Sequence, residues 1–380
     1  MDLAHSPADE AFRAEARAWL RAHVPAEPLP SLESAEGFAA HRAWEAELAA
    51  GGWSAVNWPA RYGGRDCGLT RWLLFEEEYW AAGAPGRVGQ NGLSLLAPTL
   101  FDHGTEEQRS RVLPAMATGE VVWAQAWSEP EAGSDLASLR ARAVRADGGW
   151  RLSGQKAWSS RAAFADRAFG LFRTDPDAGA PHRGLGYFMF DLRAPGVTVR
   201  PVGRLDGKPA FAELFLDEVF VPDEDVIGRP GEGWRIAMST AANERGLTLR
   251  SPGRFLASAE RLHALWQDRG GPPGAADRVA DALIGARAYQ LFTWAAASRF
   301  LAGERLGPES SLNKVFWSEY DIALHETALD LLGEEGERGD TPWAEGYVFA
   351  LAGPIYAGAN EIQRDIVAER LLGLPKGRRA

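Results

Sequence analysis

Three segments of the chain concentrate residues that could bind a flat, polar molecule. Segment 127–135 reads Trp-Ser-Glu-Pro-Glu-Ala-Gly-Ser-Asp, a rigid turn that exposes hydroxyls and backbone amides. Segment 154–160 reads Gly-Gln-Lys-Ala-Trp-Ser-Ser, and segment 355–364 reads Ile-Tyr-Ala-Gly-Ala-Asn-Glu-Ile-Gln-Arg. Serine hydroxyls and main-chain N–H groups can bind the acceptor-rich face of a cofactor, although one such loop alone also fits a plain polar connection. The chemistry indicated is cofactor binding by several segments together.

Other kinds of chemistry find little support in the composition. The chain of 380 residues has a net charge of −11, which repels nucleic acid and anionic lipid. Its one cysteine, Cys67, cannot form an intramolecular disulfide, and the seven histidines lack metal-ligand spacing. No apolar stretch reaches the roughly 20 residues that span a bilayer. We therefore expect a cytoplasmic protein without a metal site and without nucleic-acid or membrane partners.

The elements that must position these segments fall into three regions. Residues 1–120 show the three-to-four-residue apolar spacing of helices, as Phe12, Ala16 and Leu20 illustrate. Residues 121–230 contain short alternating segments between turns, which predict a small antiparallel β domain. Residues 231–380 return to the helical period, with two long antiparallel helices around 279–290 and 312–331. The fold class is therefore α+β and multidomain: an N-terminal helical domain, a middle β domain and a C-terminal helical domain.

The three segments, in this order inside a helical, β, helical chain, resemble the acyl-CoA dehydrogenase family of flavoproteins. The resemblance covers nearly the whole chain. It implies a barrel-like middle domain, a C-terminal four-helix bundle and an FAD held between them. It also implies an acyl-CoA substrate, desaturated to the trans-2-enoyl-CoA, and an electron-transfer flavoprotein as the electron acceptor. Family members are usually tetramers, so we expect this chain to form at least a dimer, and a homotetramer in preference to a dimer.

Matching the motifs residue by residue assigns the binding site. The match places the first loop against the isoalloxazine ring and the thioester, Trp158 beside the ring and Ser160 near flavin N5. It places the last segment at the start of a helix that lies against FAD, where the free amides of the helix suit the polar groups of the cofactor. The cofactor-binding residues implied are Gln125, Ala126, Trp127, Ser128, Gly133, Ser134, Trp158, Ser159, Ser160, Ala359, Asn360 and Glu361. The substrate-binding residues implied are Ser134, Asn243, Arg245, Ala357 and Gly358.

The family's reaction needs a carboxylate to remove the α-proton of the thioester. Most members carry this glutamate directly before the glycine of the last motif, where this chain has Ala357. A minority carries it on the first helix of the last domain, directly before an arginine, and here that pair is Glu244-Arg245. A solvated helical glutamate is the ordinary alternative. The empty usual position and the filled alternative make Glu244 the predicted base.

Two elements of the family pattern are missing. The Arg-x-x-Phe element that reaches the FAD of a neighbouring subunit is absent from residues 265–274. Where a glutamine and two glycines would clasp the pyrophosphate, the chain has Asp330 and Glu334, whose carboxylates would repel it. Either FAD is held differently or a different partner chain supplies these contacts, as in heteromeric members. A non-catalytic partner subunit and a flavin oxidase or monooxygenase therefore stay open as alternatives.

Overall fold

The computed structural model describes residues 5–245, 251–304 and 307–376, and for residues 242–245 the backbone alone. The described helices are α1 Pro7–His23, α2 Ala35–Ala50, α3 Leu69–Ala81, α4 Ala97–His103, α5 Glu106–Ala117, α6 Gly233–Arg245, α7 Pro252–Asp268, α8 Pro273–Leu301, α9 Glu309–Leu332, α10 Glu334–Glu337, α11 Pro342–Ala350 and α12 Asn360–Ile366. The described strands are β1 Trp123–Ala126, β2 Arg142–Ala146, β3 Gly149–Ser160, β4 Arg167–Arg173, β5 Leu185–Asp191, β6 Val197–Val202, β7 Phe211–Pro222 and β8 Val226–Ile227. The helical, β, helical order predicted from the sequence is confirmed.

The chain forms two compact units, each assembled from separated segments. One unit consists of Met1–Val24, Gly68–Ala84 and Arg245–Ala380, and so contains α1, α3 and the helices from α7 onward. The other consists of Pro25–Cys67 and Pro85–Glu244, and so contains α2, α4, α5, the sheet and nearly all of α6. These units cut across the three sequential regions of the sequence, since helices of the N-terminal region belong to both.

In the unit that contains the C-terminal helices, an apolar core forms among α7, α8 and α9. Its largest buried members are Phe255, Leu262, Tyr289, Trp317 and Leu324. Helix α7 also packs closely on α3, because a Cβ at Gly253 would lie only 2.6 Å from the backbone oxygen of Glu76. Only glycine allows this approach of two helix backbones.

The other unit is organised by one twisted sheet of eight strands. The strand order is β6-β7-β3-β2-β4-β5-β8, and β1 pairs with β4. Most pairings are antiparallel as predicted, whereas β1 and β2 run parallel to β4. These two strands occupy successive parts of one edge of β4, with the loop 127–141 between them. This arrangement places the first motif directly beside the middle of the sheet.

Local sequence explains where the elements begin. Thr105 caps α5, since its hydroxyl accepts a hydrogen bond from the Gln108 amide while the Gln108 side chain accepts one from the Thr105 amide. This reciprocal capping box satisfies two of the free amides at the start of the helix. Gln108 then donates to the backbone oxygens of Glu224 and Val226, and thereby ties α5 to the chain between β7 and β8. None of the described helices combines the length and apolarity needed to cross a lipid bilayer.

Candidate functional site

The first motif leaves β1 as a tight, internally bonded loop. Glu129 and Ala132 exchange two backbone hydrogen bonds of 3.0 and 3.1 Å, which close the turn around Pro130. The Glu129 carboxylate is buried and accepts hydrogen bonds from the backbone amides of Arg140 and Ala141, at 2.7 and 2.9 Å. The loop is thus fixed to the chain just before β2 by a charged acceptor, a strong type of hydrogen bond.

The second motif contains a β-bulge. Lys156 pairs with Leu214 and Ser159 with Ala212, so β3 has one residue more than β7 over this stretch. Within the bulge, the Ala157 amide donates to the Ser128 oxygen at 2.8 Å instead of to β7. Trp158 adopts a left-handed backbone with φ of 59°, and 63% of it is exposed. Bulges re-aim side chains next to functional sites, and left-handed non-glycine residues concentrate there.

Lys156 connects the two motifs through the interior of the sheet. Its side chain is fully buried, and its Nζ donates to Glu129 Oε1 at 2.8 Å, to the Leu171 oxygen at 2.7 Å and to the Trp127 oxygen at 3.3 Å. Desolvation lowers the pKa of Lys156 to about 8, and the opposing attraction of Glu129 only partly offsets it. A buried lysine keeps its charge only where acceptors and a counter-charge surround it, and this cage provides both.

The polar groups left over at these motifs fit a polar planar cofactor. Gln125 Nε2, Trp127 Nε1 and Ser159 Oγ are buried and have no hydrogen-bond partner among the described residues. Ser128 and Ser160 are half-buried, whereas Gly133 and Ser134 are exposed at the end of the loop. Buried donors without acceptors are rare in native proteins and commonly mark a place where a ligand supplies the partner. The residues present therefore suit the many acceptors of a flavin.

The third motif belongs to the unit that contains the C-terminal helices, and it is built differently. Ala357 and Gly358 both have left-handed backbones, with φ of 56° and 82°, directly before α12. Asn360 is only 2% exposed, and its Oδ1 accepts hydrogen bonds from Lys314 Nζ at 2.8 Å and from Ser318 Oγ at 3.2 Å. Its Nδ2 donates to Ser318 and Glu319, and its backbone amide donates to the Pro354 oxygen. The Asn360 side chain is therefore buried and hydrogen-bonded within the chain through both its oxygen and its nitrogen, rather than directed at a cofactor.

The remaining residues predicted for the cofactor in this motif are more open. Ala359 and Glu361 are half-buried and exposed, respectively, at the start of α12. The buried Lys314 also donates to the Gly353 oxygen at 2.7 Å, which holds the turn before Ala357 against α9. Sequence reasoning missed this lysine because nothing in its neighbourhood along the chain marks it as buried.

The predicted base lies at the end of α6. Asn243, Glu244 and Arg245 are its last three residues, and their side chains lie outside the described part of the structure. The preceding turn is anchored, since the Thr240 hydroxyl lies 2.6 Å from that of Thr99 on α4, and Ser239 donates to Asp102 at 3.2 Å. The helix is therefore anchored by one buried contact at Thr240 and one exposed contact at Ser239, four and five residues before Glu244.

The two departures from the family pattern are also visible. Asp330 on α9 pairs with Arg278 of α8, so its charge is neutralised within the chain. The Leu265–Gly274 region closes on itself, because Trp266 Nε1 donates to the Pro272 oxygen at 3.0 Å across the turn between α7 and α8. Among the described residues, no group of three or more His, Cys, Asp or Glu side chains could hold a metal ion.

Comparison with known proteins agrees with this architecture. Three family models match in sequence: the acyl-CoA dehydrogenase N-terminal domain over residues 6–120, the middle domain over residues 124–219 and the C-terminal domain over residues 231–372. The chain belongs to the acyl-CoA dehydrogenase family. It is accordingly an oxidoreductase of a family that depends on FAD.

Individual relatives cover almost the whole chain. "Acyl-CoA dehydrogenase IpdE1" of Mycolicibacterium smegmatis is 38% identical over 96% of this chain and 97% of its own length. Its namesake in Mycobacterium tuberculosis is 37% identical over 97% of this chain and 98% of its own length. Among solved structures, the ChsE4-ChsE5 complex from Mycobacterium tuberculosis has a chain with a TM-score of 0.85 and 28% identity, covering 100% of both chains. A protein titled "Tcur3481-Tcur3483 steroid ACAD" has a TM-score of 0.85 and 28% identity, covering 99% of this chain and 100% of its own.

Proposed function

We propose that this protein catalyses the α,β-dehydrogenation of an acyl-CoA thioester to the trans-2-enoyl-CoA, with Glu244 as the base. The observation that carries the proposal is the surface around Trp158, where two motifs lock together and leave buried donors without acceptors. FAD held at this surface would supply the hydride acceptor that the reaction needs at the β-carbon.

The chain's own residues divide the remaining work. Glu244 takes the α-proton, which a carboxylate at the end of a firmly anchored helix can do without help from the emptied position 357. The backbone amide of Ala357 holds the thioester carbonyl and so stabilises the negative charge that develops on its oxygen. This role survives alanine because it uses the main chain.

The base is tested by Glu244→Gln in a single-turnover reduction of the bound flavin by a reactive acyl-CoA. We expect the rate to fall about a hundredfold or more, the scale of a lost general base, with FAD still bound. Glu260→Gln, an exposed helical glutamate on α7, is the matched control and should keep the parent rate. Unchanged reduction by the Glu244 variant would refute the assignment.

A double variant sharpens the test. Ala357→Glu places a carboxylate at the family's usual position, and it adds no new backbone strain because Ala357 already has a left-handed backbone. Combined with Glu244→Gln, it should recover part of the lost rate. The alternative of a flavin oxidase or monooxygenase, which acts on a substrate without CoA, predicts instead no binding of the acyl-CoA and rapid reaction of the reduced flavin with oxygen.

A heteromeric assembly is the second candidate. It is supported by the satisfied polar groups around Asn360, by the missing Arg-x-x-Phe element, and by the two similar structures whose titles name two-chain proteins. In this reading a different chain completes the FAD site, and the present chain is a non-catalytic partner subunit that is colourless when expressed alone. The number of FAD molecules per chain and the subunit composition of the purified assembly separate it from a homotetramer.

The substrate class follows as a narrower proposal. The similarity to a protein titled as a steroid ACAD supports an acyl group that carries fused rings. Comparing flavin reduction by the CoA thioester of a steroid carboxylic acid with that by a straight-chain acyl-CoA of similar carbon number tests it. Electrons would then pass to an electron-transfer flavoprotein.

A further inference from the structure

We propose that the buried pair Lys156–Glu129 is a positioning device that holds Trp158 and the 127–134 loop in their flavin-binding arrangement. The inference rests on the proposed function, since it assigns the pair a task toward FAD. Neither residue is among those that the motif comparison assigns to the cofactor or substrate. Both lie inside the motifs, where their chemistry is otherwise unused.

The pair joins four segments at one point. Lys156 lies on β3 and contacts the first motif through Glu129 and the Trp127 oxygen, and β4 through the Leu171 oxygen. Glu129 in turn accepts from the backbone amides just before β2. Every N–H of the ammonium group has an acceptor, and each carboxylate oxygen has a donor. The loop therefore cannot move away from β3 without leaving a buried charge unpaired.

The pair also lies where the backbone is unusual. Lys156 is the last regular residue before the bulge, and Trp158 with its left-handed backbone follows two residues later. A left-handed tryptophan persists only where surrounding contacts hold it. The Ala157 amide provides one such contact to Ser128, between Trp127 and Glu129, both of which Lys156 contacts directly. The orientation of the exposed indole thus depends on the buried ammonium group.

Protonation of Lys156 gives a readout that a purely structural role would not have. Its pKa of about 8 is the net result of desolvation, attraction by Glu129 and weaker repulsion by Arg173 on β4. The other groups around Nζ, the two backbone oxygens and the Phe172 ring, carry no charge. The neutral Lys156 amine has two N–H donors for three acceptors, so it loses one of its three hydrogen bonds as the pH rises through about 8.

The experiment measures FAD binding to the full-length apoprotein by flavin fluorescence and visible absorption. The pH runs from 6 to 10, which extends roughly two pH units on either side of the Lys156 midpoint. We expect the dissociation constant of the parent to rise with a midpoint near pH 8. In Glu129→Gln the midpoint should move to lower pH, because the charge that raises the lysine pKa is gone. A parent binding curve that is flat with pH would overturn the proposal, and so would a midpoint that stays at the parent pH in Glu129→Gln.

The neutral double variant Lys156→Met/Glu129→Gln guards against a variant that fails to fold, because replacing both partners leaves no unpaired buried charge. We expect its thermal midpoint to stay near that of the parent while FAD binds at least tenfold more weakly and without the pH midpoint. The matched control neutralises the exposed pair formed by Arg145 on β2 and Asp223 just after β7, through Arg145→Met/Asp223→Asn, and should bind FAD as the parent does.

The outcomes separate the two proposals. A double variant that binds FAD within twofold of the parent overturns the positioning role and leaves the dehydrogenase proposal intact. A parent protein that binds no FAD, whether alone or in its purified assembly, overturns both.

Discussion

The region around Trp158 and the region around Asn360 were both predicted to bind FAD, yet they are built in opposite ways. Around Trp158 the charged side chains Lys156 and Glu129 pair with each other, and neutral hydrogen-bond donors have no partner among the described residues. Around Asn360 the amide side chain itself is hydrogen-bonded to Lys314, Ser318 and Glu319. The first region has buried donors without acceptors, as the proposed FAD site requires, whereas the second holds the turn before α12. A motif match alone therefore does not show which of its side chains face the cofactor.

Of the substitutions that test this contrast, Asn360→Ala is expected to have the largest effect, on the free energy of unfolding. The substitution removes several buried hydrogen bonds and deprives the Lys314 ammonium group of one acceptor, so we expect a loss of about 3 kcal/mol in the free energy of unfolding. Chemical denaturation followed by circular dichroism measures it.

The same variant should bind FAD with nearly the parent affinity once folded. Glu361→Gln, an exposed change one residue later, is the control for stability and should lie within about 0.5 kcal/mol of the parent. A stable Asn360 variant with much weaker FAD binding would show that this side chain is a cofactor ligand after all, and the contrast would fail.

A middle-sized effect is expected from Trp158→Ala. An exposed indole that stacks on a flavin contributes on the order of 1.4 kcal/mol, or about tenfold in affinity, and quenches the emission of the bound flavin. We therefore expect FAD to bind about tenfold more weakly and to fluoresce more brightly. Trp158→Phe should lose less of both, because a smaller ring keeps the contact.

Equal affinity and equal emission in the parent and the alanine variant would place Trp158 away from the ring. The T-shaped contact of Trp158 with Phe211, at a centroid distance of 5.7 Å, would then be its main role.

The smallest effect is expected from Ala357→Gly. Glycine adopts a φ of 56° without the penalty that a Cβ incurs, although its greater freedom in the unfolded chain offsets part of the gain. We expect the free energy of unfolding to rise by up to about 1 kcal/mol. The control Ala280→Gly, at an exposed position inside α8, should have the opposite sign, with a loss of about 1 kcal/mol. Two changes of the same sign would contradict the assigned strain.

Much of the fold was accessible from the sequence because its signals are local. Short alternating segments between turns predicted the strands of the middle region, and the apolar spacing of Phe12, Ala16 and Leu20 predicted the helix that forms α1. The short strands β1 and β8 were missed, since four and two residues carry too little periodicity to recognise. The parallel pairing of β1 depends on a partner more than forty residues away, which no local pattern encodes.

The site was only partly accessible for a related reason. The motifs made Trp158 and the 127–135 loop candidates for the site, because their residue types are distinctive. Lys156 and Lys314 were not recognised as buried, since lysine is normally exposed and only tertiary contacts reveal the exceptions. Likewise, no sequence pattern could show that Asn360 faces α9.

The discontinuous unit that contains α1, α3 and α7 constrains how the chain is made. Helix α3 ends at residue 81, but the face that it presents to Gly253 is covered only when α7 has been synthesised, some 170 residues later. At typical translation rates that interval is on the order of ten seconds or more. Throughout it, α1 and α3 have each other as packing partners, whereas the surface of α3 that packs on α7 has no native partner. The order of segments along the chain therefore makes the folding of this unit depend on late contacts between distant segments. Until those contacts form, the exposed surface can aggregate, and chaperones protect chains at this stage.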